Sequence, residues 1–129
     1  MSDGYNGGVL PPPRPAYKDH PLWNEAIAVA RQTYAVADSL ADRDPAEARR
    51  LRRLAVSVPA RLAGALSAER GPERAAEISE ARAALQALAA RAERVSGLPG
   101  VLADLPRRAH ALESSVALEL SVGNGEPPC

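Results

Sequence analysis

The chain predicts an all-α fold, an antiparallel up-down-up-down four-helix bundle with a proline-bent second helix, and three observations carry that prediction. Apolar residues recur at steps of three and four through four successive segments. Short proline- and glycine-containing stretches punctuate those segments. The third segment carries a seam, Ile78, Ala81, Leu85, Leu88, Ala92 and Val95, spaced three, four, three, four and three. Such spacing implies knobs-into-holes packing at a shallow crossing angle. Four helices of about twenty residues with short loops make a bundle about 30 Å long.

The elements follow in order. Residues 1–19 are expected to form a disordered arm, because Gly4, Gly7, Gly8 and the PPPRP run ending at Pro15 deny regular structure beyond a short polyproline stretch. That run reads as a linker, with an SH3-like groove as the alternative use. The bundle is expected to span residues 20–122. Its first helix starts at Pro21, with Asp19 or His20 as the cap. Trp23, Ile27, Ala30, Tyr34, Ala37 and Ala41 make one stripe; Leu22, Val29, Val36 and Leu40 make a second, rotated by about a quarter turn. One stripe is expected to serve the core, the other a flanking helix or a neighbouring subunit.

Asp44, Pro45 and Glu47 read as a capping box opening the second helix. Leu51, Ala55, Val58, Leu62 and Ala65 then hold one face, widened by Leu54 and Leu66. The stripe keeps phase across Pro59, which predicts one bent helix; a helix stopping at Val58 is the alternative. Pro59 cannot donate to the Ala55 carbonyl, a loss of roughly 3 kcal/mol or more in an exposed helix. Gly71 and Pro72 are expected to end this helix and start the third, which Gly97 closes. The fourth carries Leu102, Leu105, Ala109, Leu112, Val116 and Leu120. Pro106 either sits in its first turn after an Asp104 cap or bends it, and the bend is preferred. Residues 123–129 are expected to be a disordered tail.

Composition bounds the function. The chain has 129 residues, one domain by length, with 25% charged and 46% apolar residues, an ordinary soluble balance. Much of the apolar share is alanine, with no phenylalanine and one tryptophan. Small side chains bury little area each, so a one-chain core is expected to be thin and a homo-oligomer favoured. Leu22, Val29, Val36 and Leu40 are the interface this selects. The single cysteine, Cys129, allows no intramolecular disulfide, and a flexible free thiol is its plain role. Neither a signal peptide nor an apolar run near the ~20 residues of a membrane span is visible. A cytoplasmic protein without membrane attachment is expected.

Arginines concentrate where the second helix bends: Arg49, Arg50, Arg52 and Arg53 before it, Arg61 after it. The formal net charge is zero, so this is a local patch. It suits a solvated face with snorkelling stems, or a surface facing nucleic-acid phosphates.

Three segments, LWNEAIAVARQTY, LRRLAVSVPARLAGAL and EISEARAALQALAARAERVSGL, resemble the four-helix-bundle family of the 23S rRNA intervening-sequence proteins. That family includes the accessory variability protein of diversity-generating retroelements. The similarity covers roughly residues 22–120, and Arg52, Arg53, Leu54, Ala55, Val56, Ser57, Val58, Pro59 and Ala60 resemble the family's arginine-rich AVSIPA-like signature. Departures fall at Arg61 and Gly64, and on the third helix at Ala84, Ala87 and Ala89. The resemblance implies a four-helix protomer in a ring-like pentamer. It also implies, through the retroelement branch, a reverse transcriptase or RNA as partner.

No catalytic constellation emerges. A di-iron bundle site needs two Glu-x-x-His motifs, whereas only His20 and His110 are present and neither follows a glutamate at that spacing. His110 with Glu113 is a reversed pair, best read as a surface or capping histidine. Ser114 and Ser115 have no identifiable base, and neither a phosphate-cradling glycine loop nor metal-ligand spacing occurs. A non-enzymatic scaffold without cofactor or metal is expected, with a nucleic-acid-binding accessory as the alternative.

Overall fold

The computed structural model describes residues 16–69 and 71–122. A 3-10 turn, Ala16–Asp19, leads into α1 (Pro21–Leu40), α2 (Pro45–Ser67), α3 (Pro72–Glu93), a single-turn α4 (Gly100–Ala103) and α5 (Leu105–Val122). The four long helices form the expected all-α bundle. α1 packs on α2, α2 on α3 and α3 on α5, while α1 and α5 close the loosest of the four sides. Most of the expected arm (1–15) and the tail, with Cys129, lie outside the described residues. The arm's last four residues correct the expectation: they are ordered, and the Tyr17 ring meets Trp23 edge-on at 5.5 Å.

Each helix begins for a local reason. His20 caps α1, its Nδ1 accepting the Leu22 N–H at 3.1 Å, and Pro21 fills the first turn, where a missing N–H costs nothing. Asp44 caps α2 by accepting the Glu47 N–H at 3.2 Å. Only half of the capping box forms, because the Glu47 carboxylate turns away to Arg91 Nη1 at 2.7 Å and Arg50 Nη1 at 3.4 Å. Helix α2 runs unbroken through Pro59. Buried residues before and after the proline, Leu51, Val58, Leu62 and Ala65, share one core; their packing offsets the lost backbone bond.

Two ends differ from expectation. α3 stops at Glu93, short of Gly97, which instead takes a left-handed φ of 74° in the following loop. The fourth segment is divided: α4 ends at Ala103, and Asp104 separates it from α5. Pro106 therefore lies in the first turn of α5 and does not bend a continuous helix. It cannot donate to the carbonyl one turn back, and its ring crowds that carbonyl, so the ladder breaks there.

The interior is complete within one chain, which overturns the interface drawn from the sequence. Leu22, Val29, Val36 and Leu40 are all at most 6% exposed and belong to the core cluster. The Leu22 stripe points into the bundle, and the other stripe is split: Ala30 and Ala37 are buried as well, Trp23 and Ile27 are half-buried and Tyr34 is exposed. The alanine content does not leave the core thin. Alanines at 26, 37, 48, 65, 89, 92 and 109 let the backbones approach, and leucines from every long helix fill the centre. Thr33, buried among them, satisfies its hydroxyl on the Val29 carbonyl at 2.7 Å.

A polar clamp closes the loose side. Arg108 on α5 grips Glu25 on α1 with Nε to Oε2 at 2.7 Å and Nη2 to Oε1 at 3.2 Å. Its Nη1 also reaches Gln32, whose amide donates to the Val101 carbonyl at 2.7 Å. The hydrogen bond to Glu25 raises the Arg108 pKa, burial opposes it, and the charges of Glu25 and Asp104 add to it.

Candidate functional site

At 100° per residue, the arginines of α2 fan over three sides of the helix and do not converge. Arg52 leans towards α1 and pairs with Asp38 at 2.9 Å. Arg50 stays on its own helix with Glu47, and Arg61 leans towards α3, 3.8 Å from Glu80. Arg49 and Arg53 alone of the five point straight outward, and no carboxylate among the described residues pairs with either. The sequence patch thus divides into three cations with a carboxylate neighbour and two without one among the described residues.

The outward row of α2 is Arg49, Arg53, Val56 and Ala60, at steps of four, three and four, all exposed. A matching row runs along α1: Ile27, Arg31, Tyr34 and Asp38. The Arg52–Asp38 pair fixes how the rows lie side by side. In antiparallel helices one step back on α1 meets one step forward on α2, so Tyr34 stands level with Val56. Both are exposed, Tyr34 by 39% and Val56 by 60%. Arg31, which also lacks a carboxylate partner among the described residues, is level with Pro59 and Ala60. Arg49 and Arg53 flank the other end. A small apolar centre therefore lies between cations at both ends.

Sequence patterning missed Arg31, Tyr34 and Val56 as members of this face, although the signal was present. Val56 falls on the arginine row and off the apolar stripe. Tyr34 lies in a sequence stripe that also holds the buried Ala30 and Ala37. Among the described residues, the two other exposed large apolar side chains, Val101 and Leu118, lie apart from it on α4 and α5. Ala84, Ala87 and Ala89 are half-buried, exposed and buried respectively.

A second feature is a cleft of about 380 Å³ at one end of the bundle, lined by Leu40, Arg43, Asp44, Glu47, Arg94, Val95 and Ser96. Its polar lining is largely committed. Arg43 donates to the Ser96 carbonyl at 3.0 Å, Asp44 caps α2, and Glu47 Oε1 holds Arg91. Among the described residues no group of three or more His, Cys, Asp or Glu side chains could hold a metal ion. His110 faces Glu93 on α3, Nε2 to Oε2 at 3.0 Å, with both half exposed. No helix among the described residues is long and apolar enough to cross a membrane. The chain matches no protein-family model, no curated protein and no solved structure in the comparisons made.

Proposed function

We propose that the protein is a non-enzymatic helical-bundle adaptor whose working surface is the outer α1–α2 face. The observation that carries this is the grouping of Arg31, Arg49 and Arg53, all without carboxylate partners among the described residues, around exposed Tyr34 and Val56. A fold whose interior closes on itself has no structural use for such a combination there. Exposed apolar groups inside a charged rim are the usual anatomy of a docking surface. Self-assembly, expected from the sequence and from the family resemblance, loses the residues first chosen for it, since the core uses them. A two-fold pairing of this face with itself would set arginines against arginines. A partner of opposite charge therefore suits it better than a second copy.

Placing a benzophenone side chain at position 34 or 56 tests the assignment. Discrete cross-links are expected from both positions, lost when Arg49→Glu and Arg53→Glu are added. Position 87, exposed on α3, should give none. Equal cross-linking from all three positions would sink it.

A second function is favoured by the same two outward arginines: a nucleic-acid-binding accessory, in line with the retroelement branch of the family that the sequence resembles. Phosphate contact through Arg49 and Arg53 predicts affinity that falls with salt, by a slope of about two for two contacts to a duplex. Titration of labelled RNA at low and moderate salt measures it, and no binding at low salt ends it.

A further inference from the structure

We infer that the α1–α2 face docks an acidic amphipathic helix of another protein, with one or two apolar side chains seated between Tyr34 and Val56. This rests on the assignment of that face as the working surface and names its occupant. Charge complementarity selects the acid. Arg31 at one end of the apolar centre and Arg49 and Arg53 at the other have no carboxylate partner among the described residues, so a partner carrying acids at both ends neutralises all three.

Dimensions select a helix. Taking levels along α1, Arg31 and Arg53 are separated by about six residues, or about 9 Å, and Arg31 and Arg49 by about 15 Å. Two to three turns of a partner helix cover that distance, with acids about seven and eleven residues apart so that they share a face, and apolar anchors between them at helical spacing. Asp38 is already paired with Arg52 at 2.9 Å, so the choice between a peptide and a nucleic acid rests on the other residues of the face. Val56 and Ala60 offer no hydrogen-bond donor, and Tyr34 is the row's one aromatic ring, which is little for base stacking.

Selection of a displayed random peptide library on the full chain tests the proposal, with a labelled 20-nucleotide polyuridine RNA titrated in parallel. The expected result is enrichment of acidic sequences with apolar residues at steps of three or four. Their affinity should fall at least tenfold with Arg53→Glu, and likewise with Val56→Asp, in variants whose helical circular dichroism is unchanged. Leu118→Asp, away from the face, should leave it within twofold. Enrichment of neutral or basic peptides, or of acidic ones indifferent to both face variants, overturns the proposal. RNA binding lost with Arg49→Glu and Arg53→Glu, with no peptide selected, overturns the helix while keeping the face. Neither ligand binding there removes both.

Discussion

Val36→Ala separates a core residue from an interface residue most cleanly. Val36 is 0% exposed within one chain and belongs to the central cluster. The change deletes two methyl groups, about 1.6 kcal/mol of transfer free energy at ~0.8 kcal/mol per buried carbon. The surrounding helices cannot fully collapse into the space, so a cavity term brings the loss to roughly 2–3 kcal/mol. For a bundle of this size that lowers the melting temperature by about 8–24 °C, at ~4–8 °C per kcal/mol. Urea unfolding followed by circular dichroism reads it as a lower midpoint with an unchanged slope. Leu118→Ala, at a position 70% exposed, serves as the surface control and should move the midpoint little. A Val36→Ala loss below about 0.5 kcal/mol, the range of ordinary surface changes, would refute the placement of this stripe in the interior.

Three further outcomes follow from local geometry. Gly64→Ala should stabilise by about 0.5–1 kcal/mol through helix propensity, because the added Cβ meets only the movable end of Glu77, 2.9 Å from Oε1; a lower urea midpoint would show that the Glu77 carboxylate cannot yield. Pro59→Ala should raise stability by about 2 kcal/mol, the ~3 kcal/mol helix-interior penalty less the proline's ~0.4–1 kcal/mol restriction of the unfolded chain; destabilisation would mean that the core requires the proline's backbone shape. Arg108→Lys should cost about 0.5–1 kcal/mol, a discounted value for a clamp more than a third exposed on both sides. Because the Arg108 pKa is raised on folding, its contribution is complete below the ordinary guanidinium pKa and is lost only as pH rises through the folded value. The difference between the two proteins should therefore stay constant from pH 7 to pH 10 in urea titrations, and a difference that shrinks over that range would contradict the sign.

Much of the fold was legible because it depends on spacing within single helices. The α2 stripe keeps phase across Pro59, and the helix is continuous; the α3 seam from Ile78 to Ala92 and the Leu105–Leu120 stripe are buried as spaced, while Val95 falls past the end of α3 and is only half-buried. What sequence could not supply was the relation between helices. The two stripes of α1 look equivalent on a helical wheel, and only the positions of α2 and α5 decide that Val29 and Val36 point inward while Tyr34 stays at the rim. The arginine patch was legible as composition but not as electrostatics. Asp38 and Glu80, which neutralise Arg52 and Arg61, come from other helices. The half-formed capping box at Glu47 has the same cause, since Arg91 reaches it from α3.

That one chain closes its own interior is tested most directly by thermal unfolding of the unaltered protein from about 1 µM to about 500 µM. Folding from a single copy gives a midpoint that stays fixed across the whole range. A midpoint that climbs steadily with concentration would show that neighbouring copies contribute to its stability, and would contradict a self-contained bundle.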